Sequence, residues 1–321
     1  LQPRIPSMSI KFYVAMCAAL MSLFSLAEEP KADDSQESYL YVLGVAQDAG
    51  YPQAGCYQSH CMPGWQDPLL RRGATAIALV DPEAKAKYLF EATPNLPEQL
   101  YALELQAPSE QYPLEGVFLT HAHIGHYGGL MFFGHEAMGS ENIPVYAMPR
   151  MHSYLSSNGP WSQLVEYRNI TLRLLLPGRS VKLGGLSVNP FLVPHRDEFS
   201  ETVGYTITGM NKSALFIPDI NKWARWELDI AEVVQDVDYA LIDATFYSDG
   251  ELPGRDMSKI PHPLVTETMA ALDGLSAEDK KKVWFIHFNH TNPLLREDSK
   301  ESQTVISKGF NIAFEGLRLG L

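Results

Sequence analysis

The stretch "VFLTHAHIGHYGGL", residues 117–130, sets four apolar or β-branched residues ahead of three histidines and then runs into two glycines. The first four read as a buried strand, which puts His121, His123 and His126 just beyond its end. His121 and His123, two apart in a tight turn, can face one ion, whereas His126 is offset and would face a second. Neutral imidazole suits zinc, iron or manganese, and strand ends hold ligands rigidly. The competing reading is three solvated histidines in a loop.

The pattern recurs outward from this stretch. His195 follows "FLVP", Asp219 follows "LFIP" and His287 ends "VWFIH". Apolar strands that finish in His or Asp can converge their polar ends at one edge of a core and form a metal cage. Strand-like runs occupy residues 39–46, 74–80, 116–120, 186–193, 202–208, 213–218, 239–242 and 283–287, and helical runs occupy 96–105, 222–234 and 263–272. This order predicts two central sheets with helices outside, in one domain over residues 39–321.

Composition permits such a core: 321 residues are 45% hydrophobic and 11% aromatic. The formal charge of −13, with basic clusters only at Arg71-Arg72 and Lys280 to Lys282, excludes a nucleic-acid partner. Near the start, Met8 is followed by an apolar run over residues 12–26 and by small residues Ser25 and Ala27, the pattern of an export signal. At roughly fifteen residues the run is short of the ~20 that span a bilayer, so stable membrane insertion after cleavage is not expected. An uncleaved anchor and lipidation at Cys17 are the alternatives. Residues 1–27 are therefore read as an upstream extension and signal peptide, and residues 28–38, "EEPKADDSQES", as a flexible leader. A periplasmic or secreted location follows. Loss of Arg4 and Lys11 with the signal moves the formal charge from −13 to −15.

"THAHIGH" resembles the H-x-H-x-D-H signature of the metallo-β-lactamase superfamily, and His195, Asp219 and His287 come in the order of that family's remaining ligands. Within it, "GVAQDAGYPQAGC", "VPHRDEFSETVGY" and "FIHFNHTNP" are similar to the branch holding pyrroloquinoline-quinone synthesis protein B and the cyclic phosphodiesterase of phosphonate breakdown. The resemblance implies an α/β fold, an αββα sandwich of two mixed β-sheets flanked by helices, with metals at the sheet edge. It implies His121, His123 and His195 on a first metal, Asp219 bridging, and His126, Asp219 and His287 on a second. One or two zinc ions are expected, with iron or manganese as alternatives. The sequence departs from the family at Gly125, which stands where an aspartate ligates the second ion. Asp48 or Asp243 could supply a substitute carboxylate, and Gly125→Asp is expected to raise the metal stoichiometry.

Zinc at the first site would lower the pKa of its water from about 15.7 to about 7, giving a hydroxide nucleophile at neutral pH. His262, ahead of a helix in "IPHPLVTETMAAL", falls where phosphodiesterase members keep a histidine that protonates the leaving group; His262 and Asp219 are the expected catalytic residues. The alternative for His262 is a loop residue between two prolines. The resemblance also puts Cys56, Cys61 and His290 on a structural zinc site of the same branch, where Gln58 replaces the middle cysteine and leaves one ligand missing; His60 could complete a Cys₂His₂ set. In an exported protein Cys56 and Cys61 could equally form a disulfide. Arg196, Asp197 and Glu198 are candidates for hydrogen bonds to the metal histidines. Gly128 and Gly129 fit a close backbone approach, and His135 and His152 lie outside the pattern. Three functions follow: an exported hydrolase of a small ester, phosphodiester or lactone; a quinone-cofactor-type metalloprotein with oxidative chemistry; and a metal-binding protein without catalysis.

Overall fold

The strands form where β-branched and aromatic side chains can be buried on both faces of a sheet. The computed structural model describes residues 37–321; the expected export signal, Cys17 and the expected leader as far as Gln36 lie outside them. In chain order the strands are β1 (Tyr39–Gly44), β2 (Ala76–Asp81), β3 (Ala86–Phe90), β4 (Leu114–Phe118), β5 (Ile143–Ala147), β6 (Ile170–Leu174), β7 (Val181–Leu183), β8 (Leu186–Leu192), β9 (Val203–Thr208), β10 (Ser213–Ile217), β11 (Tyr239–Asp243), β12 (Val283–Ile286), β13 (Asn311–Ile312) and β14 (Arg318–Gly320).

They make two seven-stranded sheets, ordered β14-β1-β2-β3-β4-β5-β6 and β13-β12-β11-β10-β9-β8-β7. Each is mixed: β3 to β6 and β10 to β13 run parallel, and the other pairings are antiparallel. Along β2 the two-residue period separates Ile77 and Leu79, which enter the core between the sheets, from Ala76, Ala78 and Val80, which meet helices Leu96–Gln106, Pro149–Ser157 and Trp161–Glu166. Helices Ile230–Gln235, Val265–Ala271 and Lys300–Ser307 pack on the second sheet. The expected αββα sandwich is the observed fold. No helix among the described residues is long and apolar enough to cross a membrane.

Two expectations need correction. The helix expected over residues 222–234 is a 3-10 turn at Trp223–Arg225 and a separate helix at Ile230–Gln235. The break has a cause: Trp223 Nε1 donates to Thr268 Oγ1 (2.9 Å), Trp226 Nε1 donates to the Leu192 carbonyl (3.2 Å), and Asp229 caps the second helix through the Ala231 amide (2.8 Å). The strand expected through His287 stops at Ile286, because His287 takes a left-handed φ of 71°.

The sandwich is centred on Phe90, which stacks on Phe118 at 5.0 Å and meets Tyr205 of the opposite sheet edge-on at 5.3 Å. The buried Tyr205 hydroxyl donates to the carbonyl of Leu119, two residues before His121, and so ties the end of β4 across to β9. Tyr205→Phe is expected to lower the unfolding free energy by about 1–3 kcal/mol. Urea denaturation checks this; an unchanged midpoint would show that the tether contributes nothing.

Candidate metal centre

Parallel strands place their carboxyl ends on one side, and a sheet edge of that kind is where ligands bind in α/β folds. Here Glu91 follows β3, His121 follows β4, Asp219 follows β10, Asp243 ends β11 and His287 follows β12. All five are buried, between 0% and 3% exposed. His195, three residues beyond β8 and directly after Pro194, enters from the antiparallel part of the second sheet.

The side chains meet around Asp219. Its Oδ2 lies 3.2 Å from His121 Nε2, 3.1 Å from His195 Nε2, 3.7 Å from His126 Nε2 and 3.8 Å from His123 Nδ1. His123 Nδ1 stands 2.8 Å from His121 Nε2 and 3.2 Å from His195 Nε2. Zn–N bonds of about 2.0–2.1 Å give tetrahedral edges of about 3.3 Å, so His121, His123, His195 and Asp219 crowd at the spacing that a shared cation would set. Three aromatic nitrogens turned toward one carboxylate oxygen are otherwise poorly matched donors and acceptors. Buried atoms without a hydrogen-bond partner support the same conclusion: His126 Nε2 and His287 Nε2 are both orphaned.

The surrounding residues fix which ring nitrogen faces inward. Thr120 Oγ1 donates to Glu91 Oε1 and accepts from His121 Nδ1 (2.9 Å), leaving His121 Nε2 for the centre. His126 Nδ1 donates to Glu91 Oε1 (3.2 Å), leaving its Nε2. Thr245 Oγ1 donates to Asp243 Oδ1 (2.7 Å) and sits 2.9 Å from His287 Nδ1, leaving His287 Nε2. Metal-binding histidines characteristically have their second nitrogen held in this way. Glu91, Thr120 and Thr245 escaped the sequence reading; the one signal available was that "YLFE" and "LIDAT" also end apolar runs in polar groups.

His262 faces two carboxylates. Its Nδ1 is 2.8 Å from Asp243 Oδ2 and 3.1 Å from Asp219 Oδ1. Burial disfavours its charge, but Asp243 and then Asp219 outweigh burial and raise its pKa to about 9. Burial likewise opposes the charge on His126, where Glu91 and then Asp219 and Asp48 raise the pKa to about 9. Burial dominates at His287 and lowers its pKa to about 4, with His126 adding to the effect. Burial and then His126 hold His121 well below the usual range. Burial would raise the Asp219 pKa, yet His262 and His195 hold it well below the carboxylate range.

Gly125 has a steric explanation. A Cβ built there would stand 2.3 Å from the Cα of Asp48 and 2.7 Å from its carbonyl oxygen. This overturns the expectation that Gly125→Asp completes the second site, since the Asp48 backbone already fills that space. Of the two candidate substitutes, Asp48 Oδ1 is 3.6 Å from His126 Nε2, whereas Asp243 is taken up by His262, Thr245 and the Ile220 amide (3.0 Å). Gly129 is required by close approach, its Cβ direction pointing 2.0 Å from the Thr93 carbonyl; Gly128 has ordinary space.

Of the charged run after His195, Glu198 Oε2 reaches His123 Nε2 at 3.5 Å, Asp197 pairs instead with Arg150 at 3.2 Å, and Arg196 lines a cavity. His135 stacks on Tyr167 away from the centre, and His152 lies outside it. Cys56 and Cys61 form a disulfide, with Cys56 Sγ 3.4 Å from His60 Nε2 and the His60 ring 5.4 Å from that of His290. The disulfide takes both sulfurs out of metal coordination; in the reduced chain the four donors, within 4.8 Å of one another, make the alternative Cys₂His₂ set.

The family model of the Beta-lactamase superfamily domain matches residues 86–288, which include every residue of the His/Asp centre. The chain belongs to the metallo-β-lactamase superfamily. It is 26% identical over 302 residues to Coenzyme PQQ synthesis protein B of Methylobacterium sp. (strain 4-46), covering 87% of this chain and 99% of that protein. Its fold is similar to the crystal structure of Zn(2+)-bound PqqB from Methylobacterium extorquens, with a TM-score of 0.74 and 26% identity over 88% of this chain and all of the other. A diphosphatase of the PhnP family shares the fold at a TM-score of 0.61, with 21% identity over 89% of this chain and 97% of that one. These matches support the quinone-cofactor and cyclic phosphodiesterase branch.

The metal-free protein has a defined pH dependence. His126 and His262 bind protons more tightly than in the unfolded chain, so they stabilise the fold below about pH 6.5, and that contribution is lost as pH rises through about 9. His287 acts the other way, its contribution lost as pH falls from its ordinary 6.5 through about 4. The Tm of chelator-treated protein is therefore expected to peak between these windows and fall on both sides. Glu91→Gln is expected to weaken the alkaline limb and to cost about 10–100-fold in metal affinity, read by competition with a chromophoric chelator. An unaltered limb and affinity would remove Glu91 from the centre.

Proposed function

We propose that this protein is a metal-dependent hydrolase of a small ester-type substrate, a phosphodiester foremost and a lactone next. One observation carries the proposal. His262, with its Nδ1 held between Asp243 and Asp219, which raise its pKa against burial, borders both the His121, His123, His195 and Asp219 cluster and an adjoining cavity. The cavity has a volume of about 520 Å³ and is also lined by Asp48, Arg196, Arg255 and His290. That is the size of a small-molecule site, and two guanidiniums in its wall suit an anionic substrate.

When bound, zinc or a similar ion supplies a nucleophile at neutral pH and polarises the oxygen of the group under attack. His121, His123, His195 and Asp219 would hold the first ion, and His126, His287 and Asp219 the second. Arg196 and Arg255 would orient the substrate's negative charge. His262 would donate its proton to the departing alkoxide, while Asp243 holds the ring and its charge in place. We propose that this activity lies in the periplasm or outside the cell, a reading supported by the export-signal pattern over residues 12–26.

The similarity to Coenzyme PQQ synthesis protein B supports a second reading, in which the same His/Asp donors hold a metal for quinone-cofactor chemistry, an oxidative role being served by iron at these donors. Metal analysis of untagged protein, followed by assay on a bis-aryl phosphodiester, a lactone and a β-lactam, separates the two. Zinc with phosphodiester turnover supports the hydrolase; redox-active iron with oxygen consumption replaces it with the second reading; zinc without turnover indicates a metal-binding protein alone. In an active hydrolase, His262→Gln is expected to lower kcat by about 10²–10⁴-fold at unchanged metal content. Full activity of that variant would exclude the assigned role.

A further inference from the structure

We propose that Asp48 supplies the second metal's missing carboxylate, delivered from the turn after β1 instead of from the histidine motif. The inference rests on the metal-dependent reading above and goes beyond it in naming a ligand from outside that motif.

Three independent features converge. His126 Nε2 and His287 Nε2 are buried without hydrogen-bond partners, and together with an Asp48 carboxylate oxygen they lie within 4.8 Å of one another. Asp219 Oδ2, 3.7 Å from His126 Nε2, supplies the shared fourth donor. Two imidazoles and two carboxylates form a complete tetrahedral set of the kind zinc accepts.

The second feature is how Asp48 is held. The Gln47 amide donates to the Phe288 carbonyl (2.8 Å) and the Phe288 amide donates to the Val45 carbonyl (2.8 Å). These bonds dock the end of β1 on the residue next to His287, so Asp48 and His287 share one backbone frame. Asp48 has a φ of 44° and His287 a φ of 71°, left-handed values that non-glycine residues adopt at a cost and that concentrate at functional sites.

The third is the exclusion at Gly125. With the Asp48 backbone 2.3 Å from any Cβ there, the path of the turn after β1 leaves no room for a carboxylate at position 125, and the same turn carries the carboxylate of Asp48 to within 3.6 Å of His126 Nε2. Asp48 also lines the substrate cavity with Gln47 and Gln53, so the second ion would be held partly by the cavity wall.

The test is metal stoichiometry. Protein stripped with chelator is reloaded with Zn²⁺, desalted, and its zinc counted by plasma mass spectrometry, with the cysteines kept oxidised throughout. Asp48→Asn and His287→Ala are each expected to lose one equivalent relative to the unaltered protein, and Asp48→Glu to recover some or all of it. The Asp48 side chain is 47% exposed, so the Asn variant is expected to stay folded without metal, losing at most the charge contact with protonated His126. Gly125→Ala, in contrast, is expected to lower the metal-free Tm because its methyl meets the Asp48 backbone. Loss of an equivalent in His287→Ala but not in Asp48→Asn overturns the assignment of Asp48 alone. No loss in His287→Ala alone overturns the second site and Asp48 with it, and no loss in either His121→Ala or His287→Ala overturns the metal-dependent reading as well.

Discussion

The buried carboxylate of Asp219 is the constraint on which the arrangement of the site depends. It is 3% exposed and surrounded by imidazoles from four separate places in the chain: the turn after β4, the segment after β8, the loop at His262 and the strand end at His287. A buried charge without partners is expensive. The loops are therefore drawn together by the same electrostatics that make the site useful, and the sheets beneath supply the rigid ends that hold them there. In the metal-free protein His262 and His126 offset part of the negative charge as imidazolium, and a cation would displace the His126 Nε2 proton, whereas His121 and His287 are already neutral.

Much of this was legible in the sequence because strand ends are marked by a change of chemistry. "VFLTH", "FLVPH", "LFIPD" and "VWFIH" each pass from apolar to metal-binding residues within a few positions. What the sequence hid was hidden for physical reasons. β3, "AKYLF", carries Lys87, which breaks the apolar pattern yet is only 2% exposed; its Nζ donates to the Ala107 carbonyl (2.7 Å) and to Ser109 Oγ (2.9 Å) and pairs with Glu104. A lysine satisfied by a distant turn looks like a surface residue from the sequence alone. Glu91 was missed with it, since its role appears only when β3 and β4 lie side by side.

The centre also shows how position and chemistry can separate within a superfamily. Gly125 looks like a loss when the histidine motif is read by itself. In three dimensions the space it vacates is occupied by the backbone of Asp48. The Cys56–Cys61 disulfide lies only a few residues beyond that turn, and the Tyr51 hydroxyl donates to the His60 carbonyl (2.7 Å). The segment carrying the cysteines lines a neighbouring cavity with His290, three residues after His287, and His290 also borders the cavity lined by Asp48 and His262.

The pairing of β1 with β14 bears on how the molecule reaches this state. Tyr39 faces Gly320 and Tyr41 faces Arg318 across the sheet, and the Leu321 amide donates to the Ser38 carbonyl (2.7 Å). The first sheet is finished only when distant ends of the domain find each other, and the docking of Val45 and Gln47 on Phe288 demands a second long-range closure. Pairings between residues so far apart in sequence carry a large loop-closure entropy before they return any contact energy, which slows folding. Asp48 and His287 come together only through the second of these closures, so the cation site forms no earlier than that long-range contact.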